Sequence, residues 1–196
     1  MTVRGLGEAS PFAGYLSRAS FVSPALGAFV SKLQAHVRTL QLSDLQAYCD
    51  HLLRLGRNSR HDRFGWAMDD VGICAHCLRI AAQSVTVIAA DIDARLRAGL
   101  ELWPDPRATH AEIVFSVEEG WRNRGLASRL IAHAIDEAKN RNLGWLQIEA
   151  DESNPIVLRL IEKFGGIRSS SEAGSSRRIM LMQTGPDRSA RSVAVD

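Results

Sequence analysis

Lysine is scarce in this chain: 3 of the 24 basic residues are Lys and 21 are Arg, set against 22 acidic residues for a formal charge of +2. So even a balance excludes the strongly basic class of nucleic-acid or membrane-surface binders unless the charge is concentrated, and no stripe of basic residues interleaved with aromatics is present. Cysteine is scarce too. Cys49, Cys74 and Cys77 form an odd set with no secretory leader ahead of them, which argues against a disulfide framework and for a reducing cytoplasm. Long apolar runs are missing: the stretch from Phe12 to Val30 is broken by Gly14, Arg18, Pro24 and Gly27, so neither a signal peptide nor a membrane helix is expected. The chain reads as soluble. No internal repeat is visible, and tyrosine occurs only twice, at Tyr15 and Tyr48.

What remains is enough for one substantial core. The chain has 196 residues, 45% of them hydrophobic, too few for two large domains. Residues 1–34 are rich in Gly, Ser, Ala and Pro without periodicity and are expected to form a loosely ordered extension. Residues 35–183 carry the domain, and 184–196 form a polar tail.

Within the domain, Val37 to Leu42 reads as a short strand. Ser43-Asp44 then caps a helix carrying Leu45, Tyr48, Leu52, Leu53 and Leu55, which Gly56 stops, and an Arg-rich loop runs to Arg63. A second helix is expected from Asp69-Asp70 to about Gln83, with Val71, Cys74, Leu78 and Ala81 or Ala82 along its apolar side. The β-branched run Val85 to Ala90, a turn at Asp91 to Asp93 and the segment Ala94 to Trp103 predict a hairpin. After Pro104-Asp105-Pro106 comes a strand from Ala111 to Val117, with Ala111, Ile113, Phe115 and Val117 on one face and Glu112, Val114 and Ser116 on the other. Leu126, Leu130, Ile131, Ala134, Ile135 and Ala138 form the stripe of an amphipathic helix. Trp145 to Ala150 is a strand, Asn154-Pro155 opens a helix with Val157, Leu160, Ile161 and Phe164 inward, and Gly165-Gly166 ends it. A last hairpin is expected from Ile167 to Ser170 and Arg178 to Gln183.

The segment Trp121-Arg122-Asn123-Arg124-Gly125-Leu126-Ala127 joins a strand to a strongly amphipathic helix. A helix start leaves amides without partners and carries partial positive charge, so small residues there let a pyrophosphate approach the backbone. The alternative is an ordinary strand-to-helix loop. The order strand, loop, helix, strand, Asn-capped helix, Gly-Gly resembles the GNAT superfamily of acyl-CoA-dependent N-acyltransferases over residues 111 to 183. The resemblance implies an α/β (α+β) fold, a central mixed and largely antiparallel sheet with helices on both faces. It also implies that a loop of pattern Q/R-x-x-G-x-G/A, here Arg122, Gly125 and Ala127 with Asn123, Arg124, Leu126 and Ser128 around them, grips the CoA pyrophosphate. Phe115, Ser116 and Val117 occupy the strand that the pantetheine arm lies along in that family. Asn154 matches an Asn near the thioester, a role that coexists with simple capping. One departure stands out: the family frequently has a Tyr four residues before the first Gly, to protonate the leaving thiolate, and this chain has Ile161.

An amine is protonated at neutral pH and cannot attack a thioester until it loses that proton. Glu112 is the candidate base, and Ala111 to Phe115 is similar to the strand of bacterial protein-lysine acetyltransferases in which a Glu has that role; a half-exposed strand carboxylate is the plain alternative. Glu118-Glu119 is expected to point away from the CoA phosphates or to favour a cationic acceptor, and His133 to face solvent. Cys74-Ala75-His76-Cys77 has half the spacing of a zinc site, but no second pair completes it, and thiols three apart on a helix are expected to be packing residues. No metal is expected. The expected co-substrate is acetyl-CoA and the partner an amine of a protein lysine or a small molecule, with no nucleic acid and no membrane, and a homodimer is left open. A regulatory acyl-CoA-binding module without turnover is the rival that Ile161 supports.

Overall fold

Two positive backbone angles make the central hairpin. Asp93 and Ala94 have φ of 51° and 58°, the sign required at both centres of a two-residue turn that matches strand twist. They join β2 (Thr86–Ile92) to β3 (Arg95–Pro104), so the turn sits two residues later than the sequence suggests. The structure, a computed structural model, describes residues 35–83, 85–105, 109–151, 154–168 and 177–183. The expected extension over 1–34 and tail over 184–196 lie outside the described residues.

The sheet has seven strands. β1 (His36–Thr39) pairs with β2, β4 (His110–Val117) with β3, and β5 (Trp145–Asp151) with β4; β7 (Arg177–Gln183) and β6 (Ile167–Arg168) follow, giving the order β1-β2-β3-β4-β5-β7-β6. Among the described residues only the β4–β5 pair is parallel. It is also short: His110, Ala111 and Glu112 match Trp145, Leu146 and Gln147. Beyond them β4 stays paired to β3 as far as Val117, while β5 is paired along its length to β7. The two strands therefore part at Ile113, which opens a gap in the middle of the sheet.

Helices cover both faces. α4 (Leu126–Asn140) buries Leu126, Leu130, Ile131, Ala134 and Ala138 against the face that carries Ile88, Leu100, Leu102 and Ile113. The other face, with Val87, Ala89 and Leu96, meets α1 (Leu45–Leu53) and α3 (Asp70–Ala82) through Tyr48, Leu52, Ile73, Cys77 and Ile80. Leu96 shares that face with Gly99 and Glu101 because a register shift at Ala90/Asp91 inserts one residue into β3 and flips the alternation. Gly99 is needed for closeness: a Cβ there would come within 2.4 Å of the Tyr48 ring.

Three expectations are corrected. The Arg-rich segment is no loop but helix α2 (Arg57–Phe64), opened by Gly56 rather than preceded by it as a stop. Of its residues only Ser59 and Arg63 are buried, so no apolar stripe announces it. Polar staples hold it instead: the Arg60 guanidinium donates to the carbonyls of Leu53, Leu55 and Met68 at 2.7, 2.9 and 3.1 Å and to Asp70 at 2.7 Å. Helix α3 presents the opposite face from the one expected. Ile73, His76, Cys77 and Ile80 are inside, whereas Val71 and Leu78 are 78% and 73% exposed. Both stripes of that helix are apolar, and the sheet beneath selects one. Finally, β1 ends at Thr39, and a 3-10 turn at Leu42–Asp44 separates it from α1; Asp44 accepts from the Gln41 amide and from Arg38 instead of capping α1 with its side chain.

Candidate active site

Gly125 carries φ of +77° at the N-cap of α4, a conformation that costs a glycine little and a β-branched residue much. The first intrahelical bond of α4 runs from the Arg129 amide to the Gly125 carbonyl, so the amides of Leu126, Ala127 and Ser128 are left pointing out of the helix start. They face a cleft of about 260 Å³ under the parting strands. Its walls bring together Phe115, Ser116 and Val117 of β4, Arg122, Asn123, Gly125, Leu126, Ala127 and Ser128 of the loop, and Asn154, Val157 and Leu160 of α5 (Pro155–Lys163). Every expected CoA-contacting residue except Arg124 lines it. Arg124 instead donates to the Gly120 carbonyl at 3.2 Å and lies over the Trp121 ring at 4.7 Å. Ser116 turns its hydroxyl to His51 Nε2 at 3.0 Å.

The loop is tied down from below. Glu118 is held by Arg54 Nε at 2.8 Å, Arg97 Nη1 at 2.9 Å and His51 Nδ1 at 3.3 Å. Burial would raise its carboxyl, but the bonds from His51, Arg97 and Arg54 outweigh burial and take it down to about 2. Glu119 accepts from the Gly56 amide and from the Ser59 hydroxyl. Both carboxylates thus point away from the cleft, toward α1 and α2, as the sequence suggests, and neither is placed to attract a cationic acceptor. Arg122 bonds Ser59 Oγ at 2.5 Å and the Val117 carbonyl at 3.3 Å, which fixes the start of the loop against α2.

Asn154 caps α5 by accepting from the Ile156 and Val157 amides at 3.2 and 3.3 Å. Ile161 is fully buried in the same helix. No hydroxyl occupies the position where one would meet a leaving thiolate.

A second cavity, of about 940 Å³, adjoins the first along β4. Glu112 lines it beside Trp103, its cross-strand partner, and so do Phe64, Trp66, His76, Arg79 and Glu101. Glu101 is fully buried and takes hydrogen bonds from Tyr48 Oη at 2.7 Å, His76 Nε2 at 2.9 Å and Trp103 Nε1 at 2.9 Å, with Arg63 Nη2 2.6 Å away as an ion pair. Burial alone would raise its carboxyl; the Arg63 charge and the His76 bond overcome that and hold it far below the usual carboxylate range.

Sequence reasoning missed Arg63, Glu101 and His76. Arg63 lay at the end of the segment read as an Arg-rich loop, and His76 off the helix side read as apolar. Glu101 did leave a sign, a charge between Leu100 and Leu102 in a strand of alternating apolar residues. Cys49 and Cys77 are buried, and Cys74 is exposed with its Sγ 4.0 Å from that of Cys49. His133 is half-buried, 3.4 Å from Thr39 Oγ1. Among the described residues no group of three His, Cys, Asp or Glu could hold a metal ion, and no helix is long and apolar enough to cross a membrane.

The sequence model of the acetyltransferase (GNAT) family matches residues 46–166, and the chain belongs to that family. Solved structures agree on the fold. The GNAT domain of S. lividans PAT is 18% identical with a TM-score of 0.65, over 76% of this chain and 90% of that one. Spermidine N-acetyltransferase from Vibrio cholerae, in complex with CoA and spermine, is 18% identical with a TM-score of 0.61, over 77% of this chain and 96% of that one. An acetyltransferase of Salmonella typhimurium described with its cofactor acetyl-CoA is 14% identical with a TM-score of 0.60, over 81% and 98%. No curated protein matches the chain in sequence.

Gly125→Val is expected to abolish acetyl-CoA binding in calorimetry. Among the described residues nothing lies within 4 Å of a Cβ at this position, so the fold leaves room for a side chain where the phosphates are expected to approach, while φ of +77° adds about 1–3 kcal/mol of strain to the loop. Unchanged affinity would place the phosphates elsewhere.

Proposed function

We propose that the protein transfers an acetyl or short acyl group from acetyl-CoA to the primary amine of a protein lysine or small molecule, by direct attack in a ternary complex. The observation that carries this reading is the meeting of two cavities at the parting of β4 and β5: one with outward amides at a helix start, the other with Glu112. In this reading the pyrophosphate sits on the amides of Leu126, Ala127 and Ser128 with Arg122, Asn123 and Arg124 nearby, and the pantetheine arm runs along Phe115 to Val117 toward Asn154. The acceptor enters from the larger cavity, and Glu112 takes a proton from its ammonium.

Saturating acetyl-CoA is expected to raise the melting temperature. A ligand at about 100 times its dissociation constant adds about 2.7 kcal/mol. Thiol release over a panel of amines then identifies the acceptor. No thermal shift at millimolar acetyl-CoA would remove the reading; a shift without thiol release from any amine would favour a CoA-binding regulatory module, which the buried Ile161 supports.

A further inference from the structure

The two cavities share five lining residues, Asp62, Arg63, Val114, Asn154 and Val157. An acyl group passing from a donor in the smaller cavity to an acceptor in the larger one crosses this boundary. Arg63 is its permanent cation, because a guanidinium does not lose its proton in a protein. Helix α2 holds it there with 4% of its side-chain surface exposed.

Its hydrogen-bonding capacity is only partly used. Although Nη2 lies 2.6 Å from Glu101 Oε2, Nε and Nη2 have no aligned hydrogen-bond acceptor among the described residues. The Glu101 carboxylate, meanwhile, is shared among further donors. Arg79 Nη2 sits 2.9 Å from His76 Nδ1 and can only donate, so Nδ1 accepts and Nε2 carries the hydrogen given to Glu101. Tyr48 and Trp103 donate as well. Three neutral donors are thus turned toward the anion beside Arg63, in surroundings where charges are weakly screened.

We propose, resting on the function given above, that Arg63 receives the departing thiolate of CoA, the task for which position 161 offers only hydrocarbon. The amine, having given one proton to Glu112, adds its lone pair to the thioester carbonyl carbon. The adduct collapses, the C–S bond breaks and its electron pair stays on sulfur, opposite the guanidinium. The remaining extra proton on nitrogen passes through water to sulfur, leaving a neutral amide and CoA thiol, and Glu112 returns its proton to solvent. Arg63 stays protonated throughout.

The proposal can be read without an acceptor. The charged or titratable groups that line the boundary and the larger cavity beside it are Asp62 and His61 on α2, Glu112 on β4, Glu101 on β3, and His76 and Arg79 on α3. Asp62 and Glu112 disfavour a thiolate, and Arg63 favours it. In the complex of the full chain with CoA, the thiolate absorbance, taken as a difference against the free protein, is expected to titrate with a midpoint about 1–3 pH units below that of free CoA. In Arg63→Met/Glu101→Gln, which removes both buried charges together, the midpoint returns to that of free CoA, while calorimetric affinity for CoA is kept at a pH below both midpoints and falls with the lost shift above them. An Arg63→Lys variant retains part of the lowering. An unlowered midpoint in the wild-type complex overturns the proposal whether or not the double variant folds, and so does a lowering that survives in it. Failure of the wild type to bind CoA would sink the functional reading instead.

Discussion

Glu112→Gln is expected to slow acyl transfer by about 10²- to 10⁴-fold at pH 7 with acetyl-CoA affinity unchanged, the usual contribution of general-base assistance. The substitution keeps size and removes charge and basicity. Glu112 lines the larger cavity at the last residue where β4 is still paired to β5, so its loss should leave the CoA cleft intact. Raising the pH should narrow the gap, because more of the amine then arrives deprotonated and the variant gains more than the wild type. Steady-state rates with a true acceptor, from neutral to alkaline pH, check both statements. Equal turnover at neutral pH would release Glu112 from the role, and a parallel fall in acetyl-CoA affinity would make it a structural residue.

The second large effect concerns stability. Glu101→Gln is expected to cost about 3–5 kcal/mol, as breaking a buried pair from one side does. The amide keeps a single acceptor oxygen for the donors of Tyr48, His76 and Trp103, and it leaves the Arg63 guanidinium buried without its counter-charge. Urea unfolding at pH 7 measures this; a loss below about 1 kcal/mol would mean that the pair is replaceable one partner at a time. The sign of the pH dependence follows from the lowered carboxyl. Glu101 binds its proton more weakly folded than unfolded, so its contribution is present above the ordinary 4.5 and fades as pH falls through the folded value. The variant lacks that part of the acid dependence.

Much of the donor side was legible. The stripe from Leu126 to Ala138 follows helical spacing, the glycine at 125 precedes it, and Asn154-Pro155 is a start signal, so local rules and the fold agree there. The acceptor side was not. Helix α2 has a strongly polar sequence and is held by Arg60, whose partners at Leu53, Leu55, Met68 and Asp70 lie up to ten residues away and are three carbonyls and one side chain. Periodicity carries no record of such bonds. On α3, Val71-Cys74-Leu78 and Ile73-Cys77-Ile80 are equally good stripes, and only packing against Tyr48 and Leu52 decides between them. Glu101 sits among leucines in a strand, and two of its three donors come from helices 25 and 53 residues earlier, beyond any local window.

The polar stapling of α2 has an evolutionary consequence. Ser59, Arg60 and Arg63 hold the helix to the body of the protein, while His61 and Asp62, on its open side, line the larger cavity, through which the acceptor is proposed to enter, as does Trp66 just beyond. Anchoring and recognition thus fall on different residues of one short segment. Changes at His61, Asp62 or Trp66 leave every staple in place, so a lineage could exchange one acceptor for another through a few substitutions without rebuilding the donor machinery.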